Sequence, residues 1–329
     1  VTARGGDRDL VVAVIGGGTN CEHDVSRASA RAAIGALGSR GFATVEVTIR
    51  ADGGWELNGT RSSAGEAMSR LEACDAVLPL VHGVGGEDGT LAALCELLEV
   101  PYVGSGVRAG AVAMDKALTK VLADSWGVPT APGRVVRPRD IGSIDWAGPV
   151  VVKPVAAGSS FGVTLVEHPR DLDVALEAAW LMGGAALVEK RMAGREIGIT
   201  VHGGEVGAAR ATVPLEVVTD GIFDSSRKYD GHAVFQVPAA LTDDEEASIR
   251  RHAITVYEAL ECEGPVRVDF FLTADGWCLN EVNTTPGMTE HSQVPRMFAA
   301  EGVSYPELLE RIVRSAIGSR SSRMPAAAQ

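Results

Sequence analysis

Cationic side chains are the first shortage: across 329 residues, 30 Lys and Arg face 43 Asp and Glu, a formal net charge of −13. Nucleic-acid binding relies on basic side chains that neutralise phosphates, so no nucleic-acid partner is expected. Cysteine is scarce as well. The five thiols, Cys21, Cys74, Cys95, Cys262 and Cys278, contain no C-x-x-C pair and are odd in number, which argues against a disulfide framework and more strongly against structural zinc. They are predicted to be plain reduced thiols, with Cys21 set apart by its place in a glycine-rich loop. No run of about 18 apolar residues occurs, so no membrane span is expected. The opening Val1-Thr-Ala-Arg-Gly-Gly-Asp-Arg-Asp9 also lacks the apolar centre of a signal peptide. The expectation is a soluble, cytoplasmic protein without a membrane partner. Familiar catalytic signatures are missing too: there is no G-x-x-x-x-G-K-[ST] phosphate loop, no H-E-x-x-H zinc motif and no Ser-His-Asp pattern.

What is present is glycine, 39 residues of it, in a chain of ordinary hydrophobic (46%) and charged (22%) content, so wholesale disorder is excluded. The glycines cluster, as they do where backbone must come close to a ligand. Leu10 to Ile15 is a β-branched apolar run that predicts a buried strand, followed by Gly16-Gly-Gly-Thr-Asn20 and a helix from Val25 to about Gly38. Strands are predicted at Ala43–Ile49 and Asp75–Val81, the second ending in His82-Gly-Val-Gly-Gly-Glu-Asp-Gly89, with a helix over Leu91–Leu98. Strand, glycine loop and helix in repetition predict a mostly parallel α/β sheet with its ligand loops at the strand carboxyl ends. Further on, Met114-Asp-Lys116 falls on a helix ending at Gly127. Pro149–Val152 leads to Lys153 and the loop Ala156–Gly162. A strand at Val163–Val166, a helix at Leu172–Leu181 and a strand at Ala185–Glu189 follow. Glu196–Val201 is a strand, Val266–Thr273 and Gly276–Val282 form a hairpin turning at Asp275-Gly276, and Ser304–Ile317 closes the chain.

The strongest chemical constellation is Asp269, Glu281 and Asn283. Glu281 and Asn283 are two apart on one strand and share a face, and the hairpin brings Asp269 to the same level. Three oxygen donors there suit a hard divalent cation, Mg²⁺ shared with phosphates, unless the face is merely solvated. Lys153, leaving a buried strand beside Gly158-Ser-Ser-Phe-Gly162, has the make-up of a phosphate contact or of an ordinary turn. Gly104-x-Gly106-x-x-Ala109 fits a loose dinucleotide fingerprint but lacks the acidic residue on a following strand. Glu189, at the end of Leu187-Val-Glu-Lys190, has the chemistry to accept from a ribose or a base amine.

In their order along the chain these segments resemble the ATP-grasp ligases, and within them the D-alanine–D-alanine ligase family. The matching stretches are Gly17-Gly18-x-x-x-Glu22-x-x-Val25-Ser26, His82–Gly89, Gly104-Ser-Gly106 with Met114-Asp-Lys116, and Lys153-Pro-x-x-x-Gly-Ser-Ser-x-Gly162. They continue with Glu189-Lys190, Arg267-Val-Asp269 and Asn280-Glu-Val-Asn-Thr-x-Pro-Gly287. The resemblance spans roughly residues 10 to 317. It implies a three-lobed α/β protein: an N-terminal open parallel α/β substrate-binding lobe (1–104), then a central (105–190) and a C-terminal (191–318) α+β lobe clamping ATP, with a flexible tail (319–329).

The resemblance also assigns roles. Lys116, Lys153, Ser159, Ser160 and Lys228 would hold ATP phosphates, Glu189, Lys190, Met192 and Asn280 would serve the nucleotide site, and Glu196 the ribose. Asp269, Glu281 and Asn283 would bind two Mg²⁺, for which Mn²⁺ is a possible substitute. Glu22 would accept from the ammonium of a first D-alanine, with His82 nearby, and Ser292 would bind the carboxylate of the second. Arg267 and the Gly287 N–H would stabilise the tetrahedral oxyanion. Tyr229, Ser159 and Glu22 would form a hydrogen-bonded triad closing the site, with Tyr229 in a mobile loop over Phe223–Ala233. The implied partners are D-alanine, ATP and a second copy of the chain in a homodimer serving peptidoglycan precursor synthesis. Gln293 departs from the apolar residue common beside the second substrate. It leaves room for a dipeptide ligase of a specialised pathway, with D-serine for example, or it simply turns away. A non-ligating ATP-binding protein is the remaining alternative.

Overall fold

The computed structural model describes residues 10–140, 146, 148–158, 161–203, 208–218 and 234–323, with no side chains given for 320–323. Ser159, Ser160, Lys228, Tyr229 and the whole of Phe223–Ala233 lie outside the described residues, as does 324–329 of the expected tail.

The first sheet is built on β1 (Val11–Gly17), which runs parallel to both β2 (Ala43–Ile49) and β5 (Ala76–Pro79). Alternation along β1 explains its composition. Val12 and Val14 point into a core shared with α1 (His23–Ser39) and the closing helix, while Ala13 and Ile15 point into a second core with Leu71, Leu91 and Cys95. The sheet is not parallel throughout. An antiparallel hairpin, β3 (Trp55–Leu57) and β4 (Thr60–Ser62), adds to its β2 edge. Its two-residue turn, Asn58-Gly59, has positive φ at both positions (48° and 77°), the conformation this dipeptide favours between twisted strands. After it, α2 (Ala64–Glu72) starts at a capping box of Ser63 and Glu66.

A helix predicted to run through Met114-Asp-Lys116 is two helices in the structure, α3 (Thr90–Leu97) being followed by α4 (Val107–Met114) and α5 (Lys116–Ser125). Asp115 leaves helical geometry at ψ 97° and caps α5 by accepting from Leu118 N at 2.9 Å, a role in which aspartate outcompetes its place inside a helix.

The second sheet has the order β6 (Gly133–Val136), β9 (Ala186–Lys190), β7 (Val150–Pro154), β8 (Thr164–Val166), all antiparallel, and carries α6 (Leu172–Gly183) on one face. The third runs β13 (Val234–Gln236), β12 (Leu215–Val218), β10 (Gly194–Gly203), β14 (Val266–Thr273), β15 (Gly276–Asn283), with β11 (Ala209–Ala211) also on β10. One face buries Ile197, Ile199, Val268 and Phe270 against α7 (Asp243–Ala259) and against Ala109, Ala113 and Ala123 of α4 and α5. The opposite face presents Glu196, Gly198, Arg267 and Asp269. α8 (Gln293–Ala300) and α9 (Tyr305–Arg323) share a core with the first sheet through Met297, Phe298, Leu308 and Leu309. The helix α9 continues to Arg323, past the expected end at Ile317. Among the described residues no helix is long and apolar enough to cross a membrane.

Candidate active site between three sheets

A cavity of about 450 Å³ opens between the second and third sheets. Lys116, Lys153, Glu189, Lys190, Met192, Glu196, Asn280 and Glu281 all line it, with Val151, Phe271 and Leu279 supplying apolar walls. An apolar slot with a few convergent charged groups is what a nucleotide requires. Lys153 lies in the buried stretch of β7 and is 5% exposed. Its Nζ lies 2.6 Å from Glu189 Oε2 and donates to Asn280 Oδ1 at 3.3 Å. The other Glu189 oxygen pairs with Lys120 on α5. Burial alone raises the Glu189 carboxyl, but Lys153 and Lys120 more than offset it and hold the group below its ordinary range. Lys116, one turn before Lys120, donates to Ala157 O at 2.7 Å and stands 3.6 Å from Glu281 Oε2. Lys120 escaped the sequence analysis, although its i+4 spacing from Lys116 on one helix face was available as a signal.

The two strands of the β14–β15 hairpin set the far wall. Asp269 faces Glu281 directly across the pair and Arg267 faces Asn283, the juxtaposition expected from the sequence. Between Asp269 and Phe270 the register shifts, leaving Asn280 without an opposite residue. Neighbours on a regular strand alternate faces; the bulge lets consecutive Asn280 and Glu281 both line the cavity. Arg267 and Asp269 pair bidentately, Nε to Oδ1 at 2.8 Å and Nη2 to Oδ2 at 2.8 Å. Burial works against the Arg267 charge, yet Asp269, then Glu281 and Glu87, hold the guanidinium well above its ordinary value. Asn283 Nδ2 donates to Asp269 Oδ2 at 3.0 Å, which turns its amide oxygen to the other side. Two carboxylates and one amide oxygen on a single face are a hard-donor set. They are too few to cage a cation alone and so fit a Mg²⁺ that completes its shell on phosphates and water. Among the described residues no cluster of three His, Cys, Asp or Glu offers a competing site.

Beyond the hairpin the site is made of loops. Glu22 is 5% exposed, and its Oε2 lies 2.2 Å from where a Cβ would stand on either Gly83 or Gly158. Two glycine loops, one from the first sheet and one from the second, thus close on a single carboxylate, which would have to shift if either glycine carried a Cβ. Asn20 braces the same place, accepting from Glu22 N at 2.7 Å and donating to the carbonyls of His82 and Val84. His82 is buried, which lowers its pKa and keeps the ring neutral. Thr285 O, 2.8 Å from Nδ1, is an acceptor only, so Nδ1 carries the proton and Nε2 accepts from Ser29 Oγ at 2.9 Å. Both nitrogens are therefore spent inside the protein. His82 pins that loop to the one carrying Gly287. Glu87 ties the same two loops together: its carboxylate accepts from Gly83 N at 2.9 Å and Thr285 N at 3.0 Å. Burial, with the Glu22 charge next, pushes Glu87 up to about 7.

Ser292 precedes α8 and accepts at Oγ from Thr289 N at 3.1 Å; a Cβ on Gly287 would stand 3.1 Å from that oxygen. Gln293, the residue that departs from the expected apolar pattern, lays its side chain over Gly198. Its Oε1 is buried there without a hydrogen-bond partner, close to the same spot as Asp269 Oδ1. The amide oxygen thus lies on the sheet face that carries Arg267 and Asp269. Cys21 is exposed, and the other four thiols are buried and unpaired, as expected.

Comparison with known proteins agrees with this geometry. Residues 56–105 match the family model described as the D-ala D-ala ligase N-terminus, and residues 143–314 match that of the C-terminus. The chain is 37% identical to the D-alanine–D-alanine ligase of Streptomyces griseus, over 94% of this chain and 93% of that protein. Among solved structures, the D-alanine-D-alanine ligase from Coxiella burnetii superposes with a TM-score of 0.82 at 29% identity, covering 96% of both chains. The VanG D-Ala:D-Ser ligase from Enterococcus faecalis gives 0.82 at 29% identity, over 94% of this chain and 100% of that one. With a matching three-sheet α/β architecture and a relative of this identity along nearly its whole length, the chain belongs to the D-alanine–D-alanine ligase family of ATP-grasp enzymes.

Proposed function

We propose that this chain joins two D-alanine molecules into D-alanyl-D-alanine at the expense of ATP, in the cytoplasm and for peptidoglycan precursor synthesis. The observation that carries the reading is the adjacency of a lysine-lined cavity to the Arg267–Asp269 pair, with the Gly287–Ser292 loop beyond it. ATP lies in the cavity, Lys116 and Lys153 meeting its phosphates and Glu196 its ribose, with Glu189, Lys190, Met192 and Asn280 around the base. Asp269, Glu281 and Asn283 hold Mg²⁺, which supplies charge neutralisation of the phosphates. The carboxylate of the first D-alanine, its ammonium held by Glu22, attacks the γ-phosphorus. The bond to the β-phosphate oxygen breaks, leaving ADP and an acyl phosphate. The amine of the second D-alanine, its carboxylate held by Ser292, then attacks that carbonyl carbon. Arg267 and the Gly287 N–H stabilise the tetrahedral oxyanion, a contribution of about 3–4 kcal/mol per donor, and phosphate departs as the peptide bond forms. Ser159, Ser160, Lys228 and Tyr229 complete the phosphate contacts and the closing triad. Water must be kept from the acyl phosphate, which suits a site enclosed by loops. The enzyme works as a homodimer.

The test is phosphate release from Mg-ATP with D-alanine alone, then paired with D-serine, D-lactate or L-alanine, with products identified by mass. D-alanine alone is expected to give the dipeptide. Turnover only with a mixed pair would replace the second substrate, and no turnover with any pair would overturn ligation.

A further inference from the structure

Four lysines approach the proposed nucleotide cavity, Lys116, Lys120, Lys153 and Lys190, but Lys120 does not line it. Lys116 and Lys153 reach the cavity wall. Lys120 passes behind it, on the same face of α5 as Lys116, to contact Glu189 Oε1 and the Ala131 carbonyl. Glu189 therefore stands between two ammonium groups, Lys120 on one oxygen and Lys153 on the other at 2.6 Å. All three side chains are largely withdrawn from water, at 13%, 7% and 6% exposure for Lys120, Glu189 and Lys153. In such surroundings the sum of charges governs what the cluster attracts.

That sum changes sign of purpose with Lys120. A Lys153–Glu189 pair alone is neutral, and its carboxylate competes with any phosphate for the Lys153 ammonium. With Lys120 added, the cluster carries one net positive charge at the cavity floor, and the carboxylate already has a cation of its own. We infer that Lys120 is a positioning residue for nucleotide binding: by sharing the Glu189 carboxylate it leaves the charge of Lys153 available to a phosphate group. The second contact of Lys120, to Ala131 O beside β6, anchors the ammonium to the sheet that carries Glu189, so the carboxylate is held in place and not merely neutralised. Lys120 thereby acts through Glu189 and touches no substrate. The inference rests on the ATP reading above and adds to it a residue outside the cavity.

The experiment measures binding of a non-hydrolysable ATP analogue with Mg²⁺ by calorimetry, together with the KM values for ATP and D-alanine. Lys120→Met keeps the aliphatic stem and removes the charge. It is expected to weaken nucleotide binding about tenfold, equivalent to about 1.4 kcal/mol, with the D-alanine KM unchanged and with Lys120→Arg restoring affinity. In a Glu189→Gln background the carboxylate to be shared is gone, so adding Lys120→Met is expected to cost less than about twofold more. A purely structural lysine would lower affinity equally in both backgrounds. Equal losses, an unchanged affinity in the single variant, or a D-alanine KM that rises with that for ATP would each overturn the inference. Wild-type protein that binds no nucleotide would instead overturn the ATP reading on which it rests.

Discussion

At the proposed nucleotide end of the site, charge is held by side chains on regular elements: Lys153 on β7, Glu189 on β9, Glu281 on β15, Lys116 and Lys120 on α5. Each of these cations has an acidic partner within the protein, as in Lys153–Glu189 and Lys116–Glu281. At the proposed amino-acid end the groups stand on loops, and the side chains of His82, Asn20 and Glu87 hold the peptides of those loops in place. The difference follows from what each end must recognise. A polyphosphate is met by opposing charge, which the protein keeps paired and low in energy until exchange. A small zwitterion presents little area, so its recognition depends on fixed geometry more than on charge.

The comparison can be broken at either end. Glu281→Ala removes a cavity carboxylate from a strand without touching the loops. Turnover is expected to fall about a thousandfold or more, several kcal/mol of lost charge stabilisation, with the melting temperature retained. A loss of under tenfold would mean that charge is not what this end contributes. Gly83→Ala attacks the other end through shape alone, since its Cβ would stand 2.2 Å from Glu22 Oε2. A loss of about 100-fold in kcat/KM for D-alanine is expected, with affinity for the ATP analogue unchanged. Loss of both affinities together would show that the two ends are one unit.

Glu87 sharpens the contrast through pH. Its pKa is raised from 4.5 to about 7 by burial and then by Glu22, so the folded state favours the protonated form. The stability this adds is fully present below about pH 4.5 and is lost as pH rises through 7. Against Glu87→Gln, the wild type is expected to lose about 2 kcal/mol across that window once partial exposure is allowed for. Parallel pH profiles of chemical denaturation for the two proteins would refute it. Cys21→Ser should matter least. The thiol is exposed next to Glu22, and partial desolvation with that charge raises its pKa. Turnover within about twofold of wild type is expected, and a larger loss measured in the phosphate-release assay would give the amino-acid end a chemical group it otherwise lacks.

Several of these elements were legible residue by residue. The hairpin of β14 and β15 follows from two apolar runs around Asp275-Gly276, and with it the pairing of Asp269 with Glu281. The burial of β1 follows from its unbroken apolar run. Signals for the elements that were absent from the expectations lay in the sequence too: Asn58-Gly59 for the β3–β4 hairpin, and the capping box of Thr242 and Glu245 for α7. Other features carried no local signal. The bulge that leaves Asn280 unpaired depends on how two strands twist against each other. The neutral tautomer of His82 depends on Thr285, 203 residues away, and the second cation on Glu189 comes from Lys120, 69 residues away.

The sequence by itself determined the family, the order of strands, glycine loops and helices along most of the chain, and the chemical types at the site. Those follow from periodicity, turn residues and the identity of the motifs, all of which are local. Tertiary structure alone decided which charges are already paired, that the Gln293 amide lies over Gly198, and that two distant glycines leave room for Glu22. These depend on distances between segments far apart in the chain, and a hydrogen bond or a Coulomb interaction is set by distance, burial and geometry, not by residue type.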